Sequence, residues 1–142
     1  AFWLTPGEDF FTTIALFRAL RVCWNIILDA KESSEFCSIV ATINYSDLSD
    51  ENTNKIRATS KAMAAAMAGA DVILVEPSDG DYSSSFSRRI ALNVQHLLQQ
   101  ESHLGRGVDP AAGSYYIEAL TDHLAQKIRT ELQQLYSESI NT

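Results

Sequence analysis

A chain of 142 residues, 46% hydrophobic and 20% charged, is long enough to bury one core and too apolar for a disordered tail. A formal net charge of -7 argues against binding through a broadly basic nucleic-acid surface. No apolar run approaches the roughly 18 residues of a membrane span, and no basic-then-apolar leader opens the chain.

The chain opens on Ala1-Phe2-Trp3-Leu4, which reads as the last residues of a strand and suggests a fragment. Thr5-Pro6-Gly7-Glu8 then predicts a helix start, with Thr5 as cap, Pro6 in the first position and Glu8 closing a capping box. Phe10, Ile14, Phe17, Leu20, Trp24 and Ile27 recur at helical spacing and give one broad buried stripe. Arg18 and Arg21 flank that stripe as stems facing solvent or another subunit. Residues 29–35 form a polar connection, and residues 36–43 read as a strand centred on Ile39 and Val40. Cys23 and Cys37, both in apolar surroundings, fit buried thiols of a reducing, cytoplasmic compartment better than a disulfide framework. The triplet Asn44-Tyr45-Ser46 matches a glycosylation signal by chance in such a setting.

After a polar loop with Ser49 or Asp50 as cap, residues 53–68 form an alanine-rich helix able to wedge closely against a sheet. Met63 and Met67, four apart, read as gap-filling core residues. Gly69 ends that helix. Val72-Ile73-Leu74-Val75 lacks alternation, so it predicts a parallel strand covered on both faces. The loop over residues 77–85 lies at the carboxyl end of that strand, where ligands sit in α/β proteins, and its serines serve either as caps or as phosphate contacts. A helix over residues 86–101 follows. Arg88 and Arg89 in its first turn oppose the helix dipole, which points to a carboxylate or anion partner or to tolerated surface cations. Gly105 and Gly107 break the chain, Val108 marks a very short strand, and a last amphipathic helix carries Ile117, Leu120, Leu124, Ile128, Leu132 and Leu135.

Four helices alternating with four strands predict an α/β fold of parallel βα units. They form one domain over residues 1–142 with half the content of an eightfold βα barrel. Half a barrel leaves two sheet edges open to self-association or to another chain. His96, His103, His123, Cys23 and Cys37 show no metal-ligand spacing, and no nucleophile elbow or Walker loop is present. Glu101 with His103, or Asp109 with Glu101, forms either an acid–base pair or a structural salt bridge. Taken alone, the residues name no reaction. A free-standing small-molecule binding domain of α/β type remains open on this reading.

Three segments carry a family resemblance: Phe86-Ser-Arg-Arg-Ile-Ala-Leu-Asn93, Leu97-Leu-Gln-Gln-Glu-Ser-His103 and Val108-Asp-Pro-Ala-Ala-Gly-Ser-Tyr-Tyr-Ile-Glu-Ala-Leu-Thr121. Together with Asn54–Thr59, Met63–Asp71 and Phe10–Trp24 they resemble the barrel domain of the cobalamin-dependent acyl-CoA mutases, the methylmalonyl-CoA mutase family. The resemblance implies a TIM-type (β/α)8 barrel, of which residues 1–142 would run from the end of strand five through helix eight. It also implies radical isomerisation of methylmalonyl-CoA to succinyl-CoA, with adenosylcobalamin held by another domain or subunit. The cobalamin motif Asp-x-His-x-x-Gly is absent from this chain. Where catalytic chains carry a polar Thr-x-x-Gln-Thr-Ser-Gly type segment, this one reads Cys37-Ser-Ile-Val-Ala-Thr-Ile43, with Val40 for glutamine and Ile43 for glycine. The following rim loop is short. These departures resemble the small, non-catalytic subunit of a heterodimeric enzyme, whose partner is the catalytic subunit. A divergent catalytic chain is the alternative. No catalytic, cofactor-binding or metal residue is assigned; were a rim active, Tyr82, Arg89 and Glu101 would be its first candidates. Acyl-CoA would be met only in the parent complex, and neither nucleic acid nor membrane is an expected partner.

Overall fold

The computed structural model describes residues 1–45, 50–80 and 84–140, the side chains of the last two excepted. Strands β1 (Phe2–Leu4), β2 (Ile39–Ile43) and β3 (Val72–Val75) form one parallel sheet in the order β1-β2-β3. Helices α1 (Phe10–Ala30), α2 (Glu51–Met67) and α3 (Ser85–Gln100) alternate with them. A 3-10 turn (Leu104–Arg106) leads to α4 (Tyr115–Ile140).

Register decides which side chains meet. Trp3 pairs with Val40 and Val40 with Val72, while Leu4 pairs with Ala41 and Ala41 with Ile73. Because strand side chains alternate, one face carries Leu4, Ile39, Ala41, Ile43, Ile73 and Val75. That face lies under the helices: Ile39 and Ala41 pack with Ile14 and Phe17 of α1 and Ala64, Ala65 and Ala68 of α2. Ile43 packs with Ala58 and Ala62 of α2 and Val94 and Leu98 of α3. The alanines of α2 thus do what their size permits, bringing its backbone close to the sheet. The opposite face carries Trp3, Val40, Thr42, Val72 and Leu74, and none of these joins a helix-covered core cluster among the described residues. Val72 is 44% and Leu74 40% exposed. The expectation that β3 is covered on both faces is therefore corrected; its unbroken apolar run belongs to a strand with one open face.

The larger correction concerns the barrel. Among the described residues the sheet has three strands and is not closed into a barrel. The fourth strand expected at Val108 does not form. Val108 is 102% exposed and sits between the 3-10 turn and the Asp109 turn, where glycines and a proline leave no run able to pair. Without that strand the chain crosses α2 and returns to α1. Ala111 joins the core of Ile14, Phe17 and Ala64, and α4 packs along α1. Arg18 meets Glu118 and Thr121, and Cys23 meets Ala125, so the two helices run parallel.

Local starts also differ. The α1 cap is Asp9, whose Oδ1 accepts from the Thr12 N–H at 2.6 Å, rather than Thr5. Glu8 accepts from Lys61 Nζ instead of closing a capping box, and Pro6 is buried ahead of the helix. Asp50 caps α2; Ser49 lies outside the described residues. By length and composition α1 could cross a membrane, with a mean hydropathy of 1.4. One side of it is buried, toward α2 and the sheet through Ile14 and Phe17 and toward α4 through Ala19 and Cys23, while Phe11, Leu16, Val22 and Ile26 are exposed.

Candidate functional site

The carboxyl ends of β2 and β3 are where an open parallel α/β sheet presents ligands. Tyr45, just past β2, donates through its hydroxyl to the Glu76 carbonyl at 3.2 Å, tying the two strand ends together. Burial, with the Glu76 charge second, pushes the Tyr45 phenol up to about 12. Asn54, buried in α2, donates Nδ2–H to the Ser78 carbonyl at 3.4 Å. Lys55 Nζ lies 2.6 Å from Glu51 Oε1, which also accepts from the buried Ser87 hydroxyl at 3.4 Å. The Phe86 ring has Lys55 at 5.2 Å and the Arg89 guanidinium at 5.7 Å from its centroid. The cavity enclosed by Tyr45, Lys55, Glu76, Ser78 and Ser87 is about 10 Å³, the size that holds one water. Among the described residues this end of the sheet is a latch joining β2, β3, α2 and α3.

Of the rim residues singled out in sequence, Tyr82 lies outside the described residues. Arg89 is the fifth residue of α3 and Glu101 its C-cap. Twelve residues of helix separate them by about 18 Å, so they share no site. Ser84 accepts from the Ser87 N–H at 3.3 Å as the α3 cap, so its hydroxyl does the work of capping. His103 adopts a left-handed backbone (φ 54°) ahead of the 3-10 turn, and His96, His103 and His123 are exposed on three separate segments. Asp109 meets Arg18 rather than Glu101. Among the described residues no group of three or more His, Cys, Asp or Glu side chains is gathered as a metal site would need.

The charged cluster that sequence reasoning missed is centred on Arg18. Its guanidinium lies 3.0 Å from Asp109 and 2.9 Å from Glu118 and also donates to Thr121 Oγ1 at 3.3 Å. The Arg18 side chain is only 15% exposed. Glu118 accepts from Arg18 and from the Gly113 N–H, and these two bonds hold its carboxyl below the usual range. The Arg18 guanidinium itself is desolvated, an effect outweighed by the hydrogen bond to Glu118 and the charge of Asp109, which raise its pKa. A second arginine, Arg21, donates to the Gly69 carbonyl at 2.7 Å and to Asp71 at 3.1 Å. Asp71 in turn accepts from the Ile39 N–H at 2.8 Å. Both arginines are clasps between α1 and distant segments. The signal for them was present: two cations beside an apolar helical stripe, and an acidic Asp-Pro-x-x-Gly segment long range in sequence.

Comparison with known proteins covers the same residues. The family model described as methylmalonyl-CoA mutase matches residues 1–138. A probable methylmalonyl-CoA mutase small subunit from Mycobacterium bovis is 36% identical over 146 residues, which is 95% of this chain and 24% of that protein. The methylmalonyl-CoA mutase small subunit of Porphyromonas gingivalis is 38% identical over 130 residues, 85% of this chain and 21% of that protein. The methylmalonyl-CoA mutase of Escherichia coli is 34% identical over 143 residues, 95% of this chain and 20% of that protein. The chain thus spans about a quarter or less of the length of these relatives.

Proposed function

The chain belongs to the methylmalonyl-CoA mutase family, and from that premise we propose that it supports such an enzyme without performing the chemistry. In this reading it is part of a small, non-catalytic subunit, and its partner is a catalytic subunit that isomerises methylmalonyl-CoA to succinyl-CoA. The observation that carries it is β2. Its open face carries Val40, at the position where the resemblance places the glutamine of catalytic chains, beside Thr42 and between Trp3 and Val72. A radical site relies on fixed polar contacts to substrate, and the Val40 side chain supplies none. The Mycobacterium bovis and Porphyromonas gingivalis relatives, a probable small subunit and a small subunit, support this reading.

Adenosylcobalamin is the cofactor the family implies, and the residues described here do not fit it. A histidine meant to reach a cobalt needs a pocket and an orienting carboxylate. His96, His103 and His123 are instead exposed on different segments. No step is routed through the cofactor; in this proposal another domain or subunit holds it, and acyl-CoA is met only in the assembled enzyme. The outer edges of β1 and β3 lack strand partners among the described residues and offer backbone groups for self-association or for the partner. A cytoplasmic setting suits the buried, unpaired thiol of Cys23.

A divergent catalytic chain is the second reading, favoured by the Escherichia coli relative, whose name carries no small-subunit designation. Turnover separates the two. The full-length protein that carries this chain, with adenosylcobalamin and methylmalonyl-CoA, should form no succinyl-CoA, while the same mixture with a catalytic subunit added should. Succinyl-CoA formed by that full-length protein alone would overturn the supporting role and establish the second reading.

A further inference from the structure

Past the clasp of Arg18, α1 and α4 stay side by side but cease to touch fully. Ala19, Cys23 and Ala125 form a close contact, and beyond it the helices leave a groove of about 540 Å³. Cys23, Ile26 and Ile27 form one wall, and Leu132 and Tyr136 the other. Ile26, Leu132 and Tyr136 are exposed, so apolar surface faces water along this slot. Its volume lies within the range of about 300–1,000 Å³ that holds small ligands. Its one charged lining residue is Arg129. Arg129 Nε donates to the Ala125 carbonyl at 3.4 Å, which leaves the rest of the guanidinium available, and it has no ion-pair partner among the described residues. A long apolar wall with a single unpaired cation is complementary to one kind of molecule, an unbranched alkyl chain ending in an anion.

We propose that the groove between the C-terminal halves of α1 and α4 binds a free medium- to long-chain carboxylate, its alkyl chain against Ile26, Ile27 and Leu132 and its carboxylate on Arg129. The charge selects the occupant. A chain with net charge of -7 repels anions in general, so a carboxylate held here owes its place to Arg129 and to the alkyl contact. From Arg129 to Ser137 the α4 wall runs for eight residues, about 12 Å, the reach of a medium-length alkyl chain.

The test is isothermal titration of the 142-residue chain with octanoate, decanoate and dodecanoate, each below its aggregation concentration, and with dodecanol. Saturable binding should tighten by up to about fourfold for each added methylene. Dodecanol should bind more weakly than dodecanoate. Arg129→Gln should weaken dodecanoate by about two- to fivefold while leaving dodecanol unchanged. Leu132→Asp should weaken both, with circular dichroism confirming the helices of each variant. Absence of saturable binding would overturn the proposal. So would equal affinity for acid and alcohol with no effect of Arg129→Gln, which would mark unspecific apolar contact. Dimerisation of the chain that Leu132→Asp abolishes would assign the groove to a second copy instead.

Discussion

Arg18 draws together two carboxylates from a segment about 100 residues further along the chain, and this is why α4 lies on α1. Replacing Arg18 with Gln removes a charge that two acids share in a half-dry setting. We expect a loss of about 1–2 kcal/mol in urea unfolding, discounted for the partial exposure of the acids. Lysine should restore only part, since one ammonium cannot fork across Asp109, Glu118 and Thr121. The same cluster sets an acid dependence. The folded-state pKa of Glu118 is lowered by Arg18 and by the Gly113 N–H, and that of Glu8 by Lys61. A lowered folded value means stability present above the unfolded glutamate pKa of about 4.3 and lost as pH falls through the folded one. Glu118→Gln should therefore flatten the decline of melting temperature below about pH 4.3; an unchanged decline would place the acid sensitivity elsewhere. At the other extreme, Tyr45 titrates at about 12 because it is buried and faces Glu76. The unfolded phenol ionises near 10, so stability is full below that value and falls as pH rises toward 12. Phenolate absorbance should show a late-titrating tyrosine that Tyr45→Phe removes.

At the scale of elements, small residues decide what may approach what. Ala19, Cys23 and Ala125 let α1 and α4 meet closely. Ala125→Leu should overpack that contact by about 1–3 kcal/mol and, in hydrogen exchange, expose α4 before α2. Gly69 ends α2 at φ 77°, with nothing within 4 Å of an added Cβ, so Gly69→Ala isolates the backbone term at about 1 kcal/mol. The helices were legible because the apolar period of α1 and α4, the alanine run of α2 and the serine cap of α3 are local signals. The start of α1 was less so. Thr5-Pro6-Gly7-Glu8 offers a capping pattern, but Asp9, four residues later, has the extended backbone and the oxygen that the Thr12 N–H reaches. Which of two adjacent caps wins is settled by where Pro6 is buried and where Glu8 finds Lys61, and both are tertiary facts.

Over the whole molecule, the order strand, helix, strand, helix, strand, helix was readable, and so was its parallel consequence. The failure came at the fourth unit. The very short strand expected at Val108 has no β-branched neighbours and is hemmed in by Gly105, Gly107 and Pro110, so the local pattern there could not sustain a fourth strand and the half barrel counted from it. Among the described residues the sheet is an open one of three strands. The pairing of Arg18 with Asp109, by contrast, joins residues whose sequence distance hides their contact. An open apolar face of Trp3, Val72 and Leu74, with strand edges unpaired on both sides among the described residues, calls for cover. Trp3→Lys should reduce any concentration-dependent association seen by sedimentation, with the fold intact because Trp3 is exposed.

The supporting role is tested most directly by titrating a catalytic methylmalonyl-CoA mutase subunit with this chain and following both by sedimentation velocity. The account predicts a saturable complex of fixed stoichiometry, weakened when Trp3 and Leu74 on the open face are replaced by Lys. Two species that sediment independently at every ratio, with the chain still folded, would contradict it.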